Sequence, residues 1–279
     1  MNMKNLEYLK DQLKYTGFGE GHESELKEKI GKGLPEFQMP YRIDFGKDVV
    51  TATLDFKKWK DSDMYFFNQY QVELKSHELD KLVKQTYRMA KVNNTTLKEA
   101  YSLLNGRSVY KEMTKMEKIG EGDEVKFIPT KEKYHCWTKL NFKEVDKYGN
   151  FKKMPFHENY GFQHKELLAS MPLVIQNDNT LSYAVKSLEK GNITNVKIIE
   201  NGETVERNLV ADPEFKKIDV YDKDMNKLAS VLQKTLEKAL SEQPVALTNG
   251  VEKSLTEKPV VKAEKAKTIR KSRKATQKA

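Results

Sequence analysis

The sequence is nearly free of cysteine: Cys136 stands alone in 279 residues, which excludes an intrachain disulfide framework. Long apolar runs are also missing. No stretch approaches the roughly 20 apolar residues that a membrane span requires. Met1 to Tyr15 alternates apolar with charged residues where a secretory signal would carry a continuous apolar segment. These absences imply a reducing cytoplasm and no membrane partner. The hydrophobic fraction, 38%, is lower than in a typical globular chain, and the charged fraction, 33%, is higher. The expectation is compact units with heavily charged faces, together with some unfolded length.

Recognisable catalytic signatures are lacking too. There is no GxSxG, no P-loop and no dinucleotide fingerprint. Gly17, Gly19 and Gly21 do spell G-x-G-x-G, but they follow a helical pattern rather than a strand, which makes a poor phosphate cradle. The histidines are His22, His77, His135, His157 and His164. The subset His135-Cys136, His157-Glu158 and His164 is the most suggestive of a metal, yet neither a CxxC nor an HExxH pair fixes the geometry. Ordinary polar histidines are the better reading, and neither metal nor cofactor is expected. His135 cannot activate Cys136 as its neighbour in a strand, because adjacent strand residues face opposite sides. A buried, inert thiol follows.

What the chain does have is charge concentrated at one end. Residues 252–279 hold ten Lys/Arg against three acids, which places +7 of the formal +9 there and leaves +2 for the other 251 residues. The composition of this end, rich in Lys, Ala, Thr and Ser, buries too little surface to fold, so residues 242–279 are expected to be a disordered basic tail. Lys262, Lys265, Lys267, Arg270, Lys271, Arg273, Lys274 and Lys278 are spaced to follow a phosphate backbone and release its counterions. Such a tail supplies affinity without sequence specificity. It lacks the amphipathic stripe that would hold it on a membrane surface.

Periodicity divides the remainder into an α+β fold of antiparallel sheets and short helices. Leu6, Leu9 and Leu13 mark a first helix, ended by the glycines near Gly17, and Glu23 to Lys32 a second. Tyr41, Ile43 and Phe45, then Val50, Ala52, Leu54 and Phe56, alternate on either side of Gly46-Lys47-Asp48 as a hairpin. Met64 to Leu74 continues as a strand with Phe66, Tyr70, Val72 and Leu74 on one face, and Gln85 to Lys91 adds another. Tyr65 and Phe67 fall on the opposite face, where aromatic rings can stack single-stranded bases, although cover by protein is the preferred reading. Thr96 and Glu99 fit a capping box for a helix that stops near Asn105-Gly106. After a charged segment at 115–132, two strands (136–145 and 150–156) flank Asp146-Lys147-Tyr148-Gly149.

A smaller unit is expected over 171–241, after a larger one at 1–170. It contains a helix from Thr180 to Glu189, a hairpin at Asn201-Gly202, a strand from Lys217 to Tyr221, and a closing helix. Met225, Leu228, Val231, Leu232, Leu236 and Leu240 form the stripe of that last helix.

Several strings also carry a resemblance. They are Leu97 to Val109 (LKEAYSLLNGRSV), Asn150-Phe151-Lys152, Phe156 to Phe162 (FHENYGF), Ser187 to Asn192 (SLEKGN) and Ala211 to Asp222 (ADPEFKKIDVYD). Together they resemble an uncharacterised Bacteroidetes family of conjugative and other mobile elements, whose repeat-like unit is also found appended to topoisomerase-like proteins. The similarity spans most of residues 1–230 and excludes the tail. It implies a bacterial cytoplasm, horizontally transferred DNA and an accessory module, and it brings no catalytic residues.

The leading expectation is a non-enzymatic accessory protein that meets nucleic acid through the tail and a protein partner through the body. The alternatives are a protein–protein module with an incidental tail, and an enzyme with a site assembled from scattered residues. The tail reading predicts salt-sensitive, sequence-independent DNA binding that is lost when residues 242–279 are deleted. Equal gel shifts by the full and shortened chains across a salt series would defeat it.

Overall fold

The computed structural model describes residues 2–75, 82–177 and 179–228. Helices α1 (Met3–Thr16) and α2 (Glu23–Gly31) precede strands β1 (Glu36–Phe45), β2 (Asp48–Lys58), β3 (Tyr65–Lys75) and β4 (Leu82–Arg88). Helix α3 (Leu97–Leu104) leads to β5 (Val109–Ile119), β6 (Lys126–Val145) and β7 (Phe151–His157). Helices α4 (His164–Ala169) and α5 (Thr180–Glu189) come next, then β8 (Thr194–Glu200), β9 (Glu203–Asp212) and β10 (Lys217–Tyr221). The strands form three antiparallel sheets, ordered β1-β2-β3-β4, β5-β6-β7 and β10-β9-β8. The chain is therefore α+β, with antiparallel sheets and short helices. Among the described residues no helix is long and apolar enough to cross a membrane.

Local chemistry explains most of the boundaries. Asn2 caps α1 by accepting from the Asn5 N–H, Leu6, Leu9 and Leu13 are buried along one stripe, and Gly17 closes the helix at φ +95°. At α3 both halves of the capping box are made: Glu99 N–H donates to Thr96 Oγ1 at 3.3 Å, and Thr96 N–H to Glu99 Oε2 at 2.8 Å. Between β8 and β9, Asn201 and Gly202 sit at φ +52° and +83°. Two successive left-handed residues are what a two-residue type I′ hairpin turn requires.

Strand β3 departs from simple alternation. Phe56 pairs with Phe67 while Asp55 pairs with Gln69, so Asn68 is left over as a bulge. One extra residue reverses the phase of everything beyond it. As a result Tyr65, Phe67, Tyr70, Val72 and Leu74 all point into the core. Tyr65 and Phe67 thus offer no surface for bases. Phe66 takes the other face, edge-on to Trp59.

Two further expectations are corrected. The charged segment at 115–132 is the distal part of a two-stranded ribbon, in which Met116 pairs with Pro129 and Ile119 with Lys126. Ion pairs cross the ribbon from Lys115 to Glu132 (2.6 Å) and from Lys133 to Glu112 (2.7 Å). Much of this part is exposed on both faces, so it carries no alternation of apolar and polar residues to read. Met225 and Leu228 do not open a helix. Met225 has φ +63°, Asp222 accepts from the backbone of Asp224 and Asn226, and Lys227 bridges back to Tyr221. Val231, Leu232, Leu236 and Leu240 lie outside the described residues.

The buried side chains form two clusters, and the middle sheet serves both. Val109 and Leu140 join a cluster with α1, α2, the first sheet and α3. Tyr110, Trp137 and Phe156, of opposite strand parity, join a second cluster with α4, α5 and the third sheet. Side-chain amides make the joins between elements. Asn5, itself buried, accepts from the Tyr65 N–H and donates to its carbonyl, both at 2.8 Å. Gln85 does the same to Phe151 at 2.8 and 3.1 Å, and Asn93 to Thr114 at 2.8 Å in each direction. Each amide supplies the donor and the acceptor that a neighbouring strand would have supplied.

At Gly191 backbone packs closely on backbone. It has φ +72°, its carbonyl accepts from Arg107 Nε at 2.8 Å, and a Cβ there would lie 2.8 Å from the Ser108 carbonyl oxygen and 2.9 Å from Ser102 Cβ. Gly191→Ala should therefore cost about 2–4 kcal/mol, from left-handed strain and overpacking together. Urea denaturation of the two chains measures it, and a change within ~0.5 kcal/mol, typical of an ordinary surface site, would contradict the packing described.

Candidate nucleic-acid interface

Strand β4 is the outer strand of the first sheet, and β7 is the outer strand of the second. Gln85 ties β4 to Phe151, and Asn150 Oδ1 accepts from the Thr86 N–H at 2.8 Å. The two edges are thereby held beside each other without merging into one sheet. An open cleft of about 760 Å³ lies between them, lined by Gln69, Gln85, Thr86 and Arg88 on one side and by Asp146, Tyr148, Asn150, Phe151, Lys152 and Lys153 on the other.

The β6–β7 turn forms the lip of the cleft. Asp146 accepts from the backbone N–H groups of Tyr148 (2.8 Å) and Asn150 (2.9 Å), which folds the turn around its carboxylate. These backbone bonds, Asn150 first, hold the carboxyl below the ordinary aspartate range. Gly149 takes φ +80°, where a side chain would be strained. The result is a Tyr148 ring that is 65% exposed. Its π face has two cations beside it, Arg88 at 5.7 Å and Lys147 at 5.1 Å from the centroid. Among the described residues neither Arg88 nor Lys147 makes an ion pair, whereas Lys152 is held by Glu144 at 2.8 Å.

On the opposite face of β4 from Arg88, Lys153 Nζ donates to Thr95 Oγ1 at 3.4 Å and lies 5.4 Å from the centre of the buried Tyr87 ring. Lys111 Nζ is close by, bonded to Glu99 Oε2 (2.8 Å) and the Asn94 carbonyl (2.6 Å). Crowding by protein, and then repulsion from Lys111, push the Lys153 ammonium below the ordinary lysine range, against an opposing pull from Glu99. Among the described residues the Tyr87 hydroxyl has no hydrogen-bond partner, and burial pushes its pKa up.

A second cleft, of about 840 Å³, is bounded by Asp48, Tyr101, Arg107, Lys139, Asp212 and Asp219 among others. Several of its charges are paired with one another. Lys139 pairs with Asp212 (3.3 Å) and Glu214 (2.8 Å), and Asp219 with Lys217 (3.0 Å) and Lys227 (2.7 Å). Burial alone would lower the Lys139 ammonium, but the two carboxylates outweigh it and hold it above its ordinary value.

The other residues singled out from sequence are scattered. Cys136 is buried, its thiol pushed up by that burial, while His135 on the adjacent position is half-buried, stacked on Tyr110, and lies 3.7 Å from Glu158. His157 packs against Tyr134, and His164 is buried among Tyr110, Trp137 and Phe162 with a 3.0 Å bond to Glu189. Among the described residues no group of three or more His, Cys, Asp or Glu is placed to hold a metal ion. His77 and the tail residues Lys262, Lys265, Lys267, Arg270, Lys271, Arg273, Lys274 and Lys278 lie outside the described residues. Comparison with protein-family models, with curated proteins and with solved structures finds no match to this chain.

Sequence reasoning identified the turn at residues 146–149 but not the use of its tyrosine. Arg88 stands 60 positions before Tyr148, and only the sheet topology brings them together.

The depressed Lys153 ammonium has a consequence for stability. A base whose pKa is lowered by folding binds fewer protons in the folded than in the unfolded chain. Its cost is therefore full at neutral pH and fades as pH rises from the depressed value toward the ordinary lysine range. Lys153→Met should leave the chain at least as stable at neutral pH, with the difference between the two chains shrinking as pH rises. Urea midpoints at neutral and alkaline pH check this, and a variant clearly less stable at neutral pH would refute it.

Proposed function

We propose that the protein is a non-enzymatic accessory factor of a bacterial mobile element, acting in the cytoplasm. In this reading it holds single-stranded nucleic acid in the Arg88–Tyr148 cleft while its basic tail adds non-specific affinity. The observation that carries it is the exposed Tyr148 ring with Arg88 and Lys147 beside it, at the lip of a cleft furnished with Gln69, Gln85, Thr86 and Asn150. An exposed aromatic ring can stack a base, and the Arg88 and Lys147 cations beside it can reach phosphates, with the Asp146 carboxylate at the same lip in competition for Arg88. Amide and hydroxyl groups along the floor can donate to or accept from base edges and sugar. The mobile-element setting rests on the string resemblance, with which a nucleic-acid role agrees.

The second reading, a protein-interaction module, is favoured by a different observation. The distal ribbon of β5 and β6 exposes Met116, Ile119, Phe127 and Ile128, and a two-stranded ribbon is marginal in water without a covering partner. The two readings are compatible, since the cleft and the ribbon tip involve different residues.

Fluorescence anisotropy of a labelled single-stranded oligonucleotide, titrated with the full chain across a salt series, tests the cleft. Tyr148→Ala should weaken binding by about 1–3 kcal/mol, roughly 5- to 150-fold, as loss of one stacked base does. Arg88→Ala should reduce the slope of log affinity against log salt by about 0.7, the single-strand value for one phosphate contact. Affinities and slopes equal to those of the parent chain would remove the cleft from the interface.

A further inference from the structure

Two Asn-Gly pairs lie among the described residues, Asn105-Gly106 and Asn201-Gly202, and the fold holds them differently. A third, Asn249-Gly250, lies outside them. In such a pair the glycine nitrogen can attack the preceding side-chain amide, since no Cβ hinders its approach. Whether it does so depends on how firmly the two groups are held. At the end of α3 both are engaged: Asn105 Nδ2 donates to the Tyr101 carbonyl at 3.1 Å, and the Gly106 N–H to the Leu103 carbonyl at 3.0 Å. At the β8–β9 turn neither is. Among the described residues the Asn201 amide and the Gly202 N–H have no hydrogen-bond partner. Both residues are exposed, and a Cβ on Gly202 would meet nothing within 4 Å. The pair that closes this turn, Glu200 with Glu203, sets two like charges directly opposite each other. Among the described residues only Glu200 has a cation, Arg207, to offset it.

We propose that Asn201 is a modification site, at which the β8–β9 turn rearranges through a cyclic imide to an isoaspartyl linkage. The Gly202 nitrogen attacks the side-chain carbonyl carbon of Asn201 and a C–N bond forms. The bond to the side-chain nitrogen breaks and ammonia departs with the electron pair. The proton that the Gly202 nitrogen gives to solvent is matched by the one that the ammonia takes up. Water then adds to either carbonyl of the imide and releases the Gly202 nitrogen from it. Release from the side-chain carbonyl leaves an ordinary aspartate, and release from the main-chain carbonyl routes the backbone through the side chain. Water is the only co-reactant, and no oxidant or reductant enters. The two products act differently on the fold. Aspartate adopts φ +52° much as asparagine does, so the turn survives. The isoaspartyl form adds a methylene carbon to the main chain, for which a two-residue type I′ turn has no place. The strands joined there supply Ile198 and Leu209 to the second cluster, so a change at the tip reaches the core. The proposal is independent of the nucleic-acid reading.

The test keeps the intact chain at mildly alkaline pH, folded and in denaturing urea, and follows Asn105 and Asn201 over time. Site-resolved mass spectrometry, with a fragmentation that separates aspartyl from isoaspartyl products, reads both positions. In the folded chain Asn201 should convert several-fold faster than Asn105, with the isoaspartyl form among its products. In urea the two rates should converge, because the hydrogen bonds that protect Asn105 are gone. Asn201→Gln keeps the amide but requires a larger ring, and should abolish conversion at this position. Equal rates in the folded chain would overturn the site. So would a preference for Asn201 that persists unchanged in urea, since that would trace it to neighbouring residues and not to the fold. Conversion to aspartate alone would overturn the rearrangement.

Discussion

The two hydrogen bonds between the Gln85 amide and the Phe151 backbone are the constraint on which the rest of the arrangement turns. An outer strand with an unpaired edge must satisfy its N–H and C=O groups or leave them to water. Adding another strand would satisfy the whole row and fuse the two sheets. A side-chain amide satisfies one residue only, so β4 and β7 meet at a point and then diverge. Asn150 on Thr86 adds a second point, and Asn93 on Thr114 a third, between the loop after β4 and strand β5. The cleft is the space this point-wise joining leaves. Removing one amide would cost more than its own bonds, since it strands two backbone groups that packing has partly desolvated.

The same economy shapes the middle sheet. Between the two clusters its strands are covered on both faces: Leu140 packs with the first cluster, and Trp137, three residues earlier, with the second. Strand β6, at 20 residues, is longer than that cover. β7 accompanies it only from Cys136 onward, so the end near Ile119 and Lys126 runs on as a ribbon with its neighbours on one edge alone. Its ion pairs lie between exposed side chains, and such pairs contribute little stability. What the ribbon retains is apolar surface and free backbone at a distance from the cleft, suited to a partner that the cleft does not engage.

How much of this was legible in the sequence depended on whether a local pattern had a single structural meaning. Thr96 with Glu99, Asn201-Gly202 and the leucines of α1 each have one, and each sits where the pattern put it. The bulge at Asn68 has no such signature, and it alone moved Tyr65 and Phe67 from a possible stacking face into the core. The ribbon was hidden for the opposite reason, because a strand wet on both sides has no apolar period. The cleft was the least legible feature. Its tyrosine sits in the β6–β7 turn and its arginine at the end of β4, and nothing local to either specifies the amide clamps that bring the two edges together.

Charge makes the same point in energetic terms. Outside residues 252–279 the formal balance is +2, which suggests a body without an electrostatic preference. Net charge, however, sums over pairs that cancel at short range, such as Lys10 with Glu23 at 2.6 Å or Lys139 with Glu214 at 2.8 Å. A screened polyanion responds to what remains uncancelled within about a Debye length, ~8–10 Å at ordinary salt. At the cleft that remainder is Arg88 and Lys147 around one exposed ring, set against the Asp146 carboxylate of the same turn. A near-neutral body can therefore present a locally basic, aromatic edge. In the proposed reading, attraction by the tail and recognition at the cleft are separable: one would scale with salt and chain charge, the other with the geometry of a single turn.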